Sequence, residues 1–301
     1  MTDPTVQPRS PAPAGGSGFS LESTLERSEI AYYPTCPFPV PSGPDLDFLL
    51  AQRLGRAHKN IGYDPHSAKV TGVVRESDAQ ISRLREMFAE FSNKATTWLS
   101  ANAPRYPLAW QLDRVSFRPE EEATRKLRLT ARNDLLHVDA FPSRPTNGHR
   151  ILRLFVNLNP TEMRVWATSD PFPRLLERFG EAVGLPKNTS TTWAWRLRES
   201  VVGIFRPGKP RRSVYDAFML RFHDFLKAND DFQHRCAKKL WKFPPGSMWL
   251  VFTDSVSHAA LRGRFAIEHS FFVAPEALAH PELAPASLLL RACGRPVLNA
   301  A

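Results

Sequence analysis

The chain has 301 residues and a formal net charge of +10, from 40 Lys and Arg against 30 Asp and Glu. That length supports a full hydrophobic core and one large domain with decorations, and the basic balance favours acidic partners such as nucleic acid, anionic lipid or an anionic sugar. Three widely spaced cysteines, Cys36, Cys236 and Cys293, exclude a disulfide framework or a zinc cluster, and no apolar run approaches the roughly 18 residues of a membrane span.

The N-terminal stretch lacks the apolar core of a signal peptide, so the expected location is cytoplasmic. Residues 1–18 are rich in Pro, Gly, Ser and Thr and are expected to be a disordered tail. A single domain is expected over 19–301. Ile30 to Tyr33 reads as a short strand, the proline-rich run 34–44 as an extended connection, and 45–54 as a short helix. Residues 55–74 read as loop and short strand. The strongest helix signal runs from Ser77 to Ala101. Ser77 and Gln80 form a capping box, and Ile81, Leu84, Phe88, Phe91, Ala95 and Trp98 recur at intervals of three and four. This helix is scaffold. Trp110 to Arg118 alternates as a strand, with Ser116 and Arg118 opposite Val115 and Phe117, and 120–128 is a charged loop.

Residues 135–145 carry an H-x-D pair, His137 and Asp139. On a strand, positions i and i+2 share a face, so an imidazole and a carboxylate can meet one metal ion. The next strand, 151–158, has one wholly aliphatic face of Leu152, Leu154, Val156 and Leu158. Its other face holds Ile151, Arg153, Phe155 and Asn157, which presents Arg153 and Asn157 either to water or to a cavity. Residues 161–242 read as a helical insertion, with one helix around Leu175 to Val183 and another around Phe218 to Leu226. Its basic residues are Arg206, Lys209, Arg211, Arg212, Lys238, Lys239 and Lys242. A turn and an apolar strand follow over 243–254, then His258, a turn at Arg262 to Arg264, and a last strand over 265–273. Residues 287–292 suggest a short closing helix.

Among nine histidines, His258 fits the third corner of a 2-His-1-carboxylate facial triad, the geometry of non-haem Fe(II) oxygenases. His223 and His234 lie in helical sequence and fit worse; His269, within a strand, is the fallback.

The run His137-Val138-Asp139-Ala140-Phe141-Pro142-Ser143-Arg144-Pro145-Thr146-Asn147-Gly148, continuing into Arg150 to Arg153, resembles the signature of the Kdo 3-hydroxylases. These are Fe(II)/2-oxoglutarate dioxygenases acting on the 3-deoxy-D-manno-oct-2-ulosonic acid (Kdo) of lipopolysaccharide inner core. Phe117 to Pro119 and Phe252 to Ala259 are similar too. The resemblance implies an α+β fold around a double-stranded β-helix (jelly-roll, cupin-like) core with flanking helices. It implies Fe(II) on His137, Asp139 and His258, the cosubstrates 2-oxoglutarate and O₂, ascorbate as an activator in vitro, and release of succinate and CO₂. The implied acceptor is a Kdo-containing lipid A or inner-core glycolipid; the basic charge without a spanning segment adds the expectation of peripheral contact with the anionic cytoplasmic face of the inner membrane. Arg118, Arg153 and Asn157 are the candidates around 2-oxoglutarate, with the two arginines open to either its far carboxylate or the sugar's own. Ser143, Arg144 and Arg264 are the candidates for substrate. Position 268, ten residues after His258 and often arginine in 2-oxoglutarate oxygenases, is glutamate here. Two other readings fit the composition: an oxygenase of nucleic acid or a small metabolite, and a non-catalytic sugar- or lipid-binding barrel. No stripe interleaves arginine with stacking aromatics, so nucleic acid is not the expected partner.

Overall fold

The computed structural model describes residues 20–55, 58–121, 127–185, 212–294 and 297–298. The expected tail, 1–18, and Arg206, Lys209 and Arg211 lie outside the described residues. The described helices are α1 (Leu21–Glu26), α2 (Gly43–Leu50), α3 (Asp78–Asn102), α4 (Phe172–Phe179), α5 (Val214–Ala228), α6 (Asp230–Arg235) and α7 (Pro285–Cys293). The strands are β1 (Ala31–Tyr33), β2 (Ile61–Asp64), β3 (Lys69–Thr71), β4 (Trp110–Arg118), β5 (Arg150–Asn157), β6 (Arg164–Pro171), β7 (Lys239–Phe243), β8 (Met248–Phe252), β9 (Val256–Arg262) and β10 (Ala266–Val273). A seven-stranded antiparallel sheet runs β1-β8-β5-β10-β4-β2-β3, and a three-stranded one runs β7-β6-β9. The two sheets form the double-stranded β-helix.

Period-two alternation divides the large sheet into two faces. Leu152, Leu154, Val156, Val115, Phe117, Ile267 and Phe271 pack outward against Leu84, Phe88, Phe91, Ala95 and Leu99 of α3. Ser77 caps α3, its hydroxyl accepting from Gln80 N–H at 3.1 Å, and the Gln80 side chain accepts from Glu76 N–H at 2.9 Å. The cap bond satisfies one of the helix's orphan donors. Between the sheets, Phe155, Trp166, Trp241, Phe243 and Trp249 fill one end of the barrel. Phe243 stacks on Trp249 at 4.0 Å between ring centroids. On the outside of the small sheet, Phe172, Leu175, Phe218, Phe222 and Leu289 of α4, α5 and α7 cover Ala167 and Ala259.

The insertion expected over 161–242 is narrower than that. Its two ends are β6 and β7, which are barrel strands paired with each other, and the helices lie between them. Arg164, Trp166 and Thr168 alternate along β6 as a strand requires. The apolar residues at 175–183 and 218–226 dominate the local pattern and mask this short alternation.

Candidate metal centre

His137 and Asp139 do not stand on a strand, as their spacing suggests, but on an extended segment held by single bridges. His137 pairs with His258 of β9: His137 N–H donates to His258 O at 3.1 Å, and His258 N–H donates to His137 O at 2.9 Å. Asp139 N–H donates to Thr253 O at 2.8 Å. This zipper brings side chains separated by most of the barrel onto one spot. One ligand atom from each of His137, Asp139 and His258 lies within 4.8 Å of the others, and all three residues are buried.

Both imidazoles are oriented for ligation. His137 Nδ1 is 2.7 Å from Leu135 O, and His258 Nδ1 is 2.9 Å from Val256 O. A carbonyl only accepts, so each Nδ1 carries the proton and each Nε2 keeps its lone pair. Burial pushes the His137 imidazole well below its ordinary range and lowers His258 likewise, so both are neutral at neutral pH. Burial alone would raise Asp139, but Arg153 and His137 outweigh it and hold the carboxyl well below the usual range. A donor set of two neutral imidazoles and one carboxylate suits Fe(II) with open positions.

The site floors a cavity of about 550 Å³. A β-bulge in β4, where β10 pairing slips between His269 and Phe271, turns both Asp113 and Arg114 to the cavity rim while Leu112 packs into the core. Ser116, Arg118, Arg153, Phe155, Arg164, Trp166, Glu268 and Ser270 line the inner wall. Trp166 stacks on the His258 ring at 5.2 Å.

Arg118 and Arg153 reach the cavity as expected, but each faces a carboxylate of the protein. Arg118 Nη2 is 2.9 Å from Glu268 Oε2. Arg153 Nη1 is 3.0 Å from Glu268 Oε1, and its Nη2 is 3.0 Å from Asp139 Oδ2. Arg144 lines the cavity, ion-paired with Asp113 and lying over the Phe141 ring at 4.5 Å. Asn157 departs from expectation: its amide donates to Glu162 O and Phe243 O at 2.9 and 3.0 Å, pinning the β5–β6 turn away from the cavity. Arg264 is exposed on the outer surface, over Phe265 at 4.6 Å. Ser143 is exposed and does not line the cavity. The second half of the signature run is architectural. Asp216 of α5 accepts from Thr146 N–H at 2.7 Å and Asn147 N–H at 3.1 Å, clamping a turn in which Asn147 has φ 47°. His269 points the other way, to Ser92 of α3 at 2.8 Å, and takes no part in the centre.

Sequence reasoning missed Arg164, whose buried side chain on β6 lines the cavity and donates from Nη1 to Gly263 O at 2.5 Å. Gly263 has φ 105°, and a Cβ there would meet Arg164 Cα at 2.8 Å, so only glycine permits this approach. It also missed Lys227 of α5, which burial pushes down to about 8 and which donates to Thr130 O at 3.1 Å, and the edge contact of His223 with His137 at 4.9 Å. The Arg164/Trp166 alternation was the available signal for the first; nothing local marked the others.

Among the solved structures that share this fold, three are similar in sequence as follows. The Kdo hydroxylase KdoO in complex with alphaketoglutarate and Fe(III) is 33% identical, with a TM-score of 0.79 over 92% of this chain and 90% of that one. KdoO with cobalt(II) is 32% identical, with a TM-score of 0.82 over 99% of both chains. KdoO with succinate and Fe(III) is 31% identical, with a TM-score of 0.80 over 99% of both. No curated protein sequence matches. Residues 14–296 match the 3-deoxy-D-manno-oct-2-ulosonic acid (Kdo) hydroxylase family, and the chain belongs to it.

Proposed function

We propose that the protein is an Fe(II)/2-oxoglutarate-dependent dioxygenase that hydroxylates Kdo of the lipopolysaccharide inner core at its 3-position. The observation that carries this is the convergence of His137, Asp139 and His258 in a buried cavity wall, with both Nδ1 protons engaged by backbone carbonyls. Bound there, Fe(II) with 2-oxoglutarate and O₂ supplies the oxidising power that replaces a C–H by C–OH, with succinate and CO₂ as by-products. The protein supplies orientation and a dry wall. Trp166, stacked on the His258 ring, and Phe155, packed on Trp166, make that part of the wall apolar.

The far carboxylate of 2-oxoglutarate needs a fixed cation. Arg164 is our choice, because its guanidinium is buried in the cavity wall next to Trp166 and offers a planar fork. Lys59, Arg114, Arg128 and Arg144 stand around the cavity mouth against Asp113 and Asp224. That excess of positive charge attracts a sugar acid. The acceptor reading extends to a Kdo-containing lipid A glycolipid at the cytoplasmic face of the inner membrane. The net charge and the exposed Lys238, Lys239 and Lys242 support a peripheral contact, and no described helix is long and apolar enough to cross a bilayer.

The test is mass spectrometry of a Kdo-containing glycolipid incubated with protein, Fe(II), 2-oxoglutarate and ascorbate. A gain of one oxygen on Kdo is expected. Succinate release without any such gain would transfer the activity to another substrate.

A further inference from the structure

Glu268 is a buried carboxylate inside the cavity, at a position unsuited to holding another anion. Its Oε1 accepts from Arg153 Nη1 at 3.0 Å. Its Oε2 accepts from Arg118 Nη2 at 2.9 Å and Nε at 3.2 Å. Burial would raise this carboxyl, and the two guanidinium groups outweigh that and lower it, so it is an anion at neutral pH. The remaining terminal nitrogen of Arg153 stands at ion-pair distance, 3.0 Å, from Asp139 Oδ2. The other oxygen of Asp139, Oδ1, is 3.5 Å from His137 Nε2. The two oxygens of Asp139 therefore face different neighbours: Oδ1 the His137 imidazole, Oδ2 a guanidinium.

We propose that Glu268, acting through Arg153, keeps Asp139 a one-oxygen ligand of the metal. The inference rests on the metal-centre reading above and goes beyond it by assigning position 268 a role. A facial triad works because its carboxylate takes a single position and leaves the others for cosubstrate and O₂. A carboxylate with both oxygens unopposed can turn and chelate, which closes one of those positions. Oδ2 accepts no hydrogen bond from the described residues, and the charge of the guanidinium 3.0 Å away is what opposes that turn. Arginine alone does not hold the geometry, since its long side chain has many rotamers. Glu268 removes that freedom by accepting from Nη1, and Arg118 in turn fixes Glu268 with a two-bond grip. The order Asp139, Arg153, Glu268, Arg118 alternates in sign, so these buried charges compensate one another along the row. Glu268 and Arg153 are positioning residues in this scheme.

The test is anaerobic titration of the metal-free protein with Co(II), followed by visible absorption, with and without 2-oxoglutarate. For Glu268→Gln we expect the Co(II) dissociation constant to rise about ten- to hundredfold, the range for outer partners of metal ligands. The absorption band of the Co(II) complex should also shift, while the far-UV spectrum of the metal-free protein stays that of the parent. Arg153→Lys should reproduce the shift, because an ammonium reaches one carboxylate and not both; it carries the test if the glutamine variant does not fold. If the parent takes up Co(II) and both variants bind it with the parent's constant and spectrum, the positioning role is overturned and the metal centre stands. If the parent takes up no Co(II), the metal-centre reading itself falls.

Discussion

The outer and inner faces of the large sheet are made by the same strands and obey different rules. Outward, Val115, Leu154, Ile267 and Phe271 meet α3 through apolar contact, and the His269–Ser92 hydrogen bond is a polar exception on that face. Inward, one residue away along each strand, Ser116, Arg153, Glu268 and Ser270 meet a cavity. The outer face is graded by volume, and neighbouring apolar residues substitute for one another at modest cost. The inner face is graded by charge pairing, where removing one member leaves another buried and uncompensated. The β-bulge in β4 shows how closely the two are coupled, since one extra residue carries Leu112 into the core and Asp113 to the cavity rim.

Substitutions separate the two faces, and the largest effect belongs to the inner one. His137→Ala, Asp139→Ala and His258→Ala should each abolish Kdo hydroxylation while the protein still unfolds cooperatively. Full activity in His258→Ala, paired with loss in His269→Ala, would move the distal ligand to His269. On the outer face, Leu84→Ala in α3 should cost about 2–5 kcal/mol of stability by leaving a cavity. Urea titration measures this, and turnover below the melting range should remain near the parent's. A large loss of turnover at full folding would show that the faces are not independent.

Next in size is Arg164→Lys. Losing one of two parallel bonds to a carboxylate in a buried site should cost about 1.5–3 kcal/mol, roughly ten- to hundredfold in the apparent constant for 2-oxoglutarate. A titration in 2-oxoglutarate at saturating acceptor reads it, and an unchanged constant would return the anchor to Arg118.

His269 gives the outer face a pH signature of its own. Burial pushes its imidazole down to about 3. The unfolded chain takes up that proton near 6.5, so the contribution is fully present above about 6.5 and is lost as pH falls toward the folded value. The urea midpoint of the metal-free protein should therefore drop between pH 7 and pH 5, and His269→Asn should flatten the slope. The smallest effect expected is at the surface: weak cosedimentation with anionic vesicles, released by salt. Sedimentation that ignores salt would rule out an electrostatic contact.

Periodicity alone was enough for much of the fold. The three-and-four spacing behind Ser77 specified α3 to within a residue or so at each end, alternation specified β5 with its aliphatic face outward and divided β4 into its two faces, and the apolar run before Ala274 was legible as the strand β10. The H-x-D pair and a histidine preceding the last turn were enough to assemble the candidate centre, because a metal needs few residue types and those types are rare together. Tertiary structure alone decided what each inward charge faces. Arg118 and Arg153 were legible as cavity residues, but their partners Glu268 and Asp139 come from other strands, and no local pattern records a partner across a sheet. The same holds for Asn157, which turns to backbone carbonyls, for Ser143 and Arg264, which face outward, and for β6 and β7, whose short alternations become strands only by pairing within the small sheet. A side chain's face follows from its own strand's period, whereas its electrostatic role depends on groups that the fold brings to it.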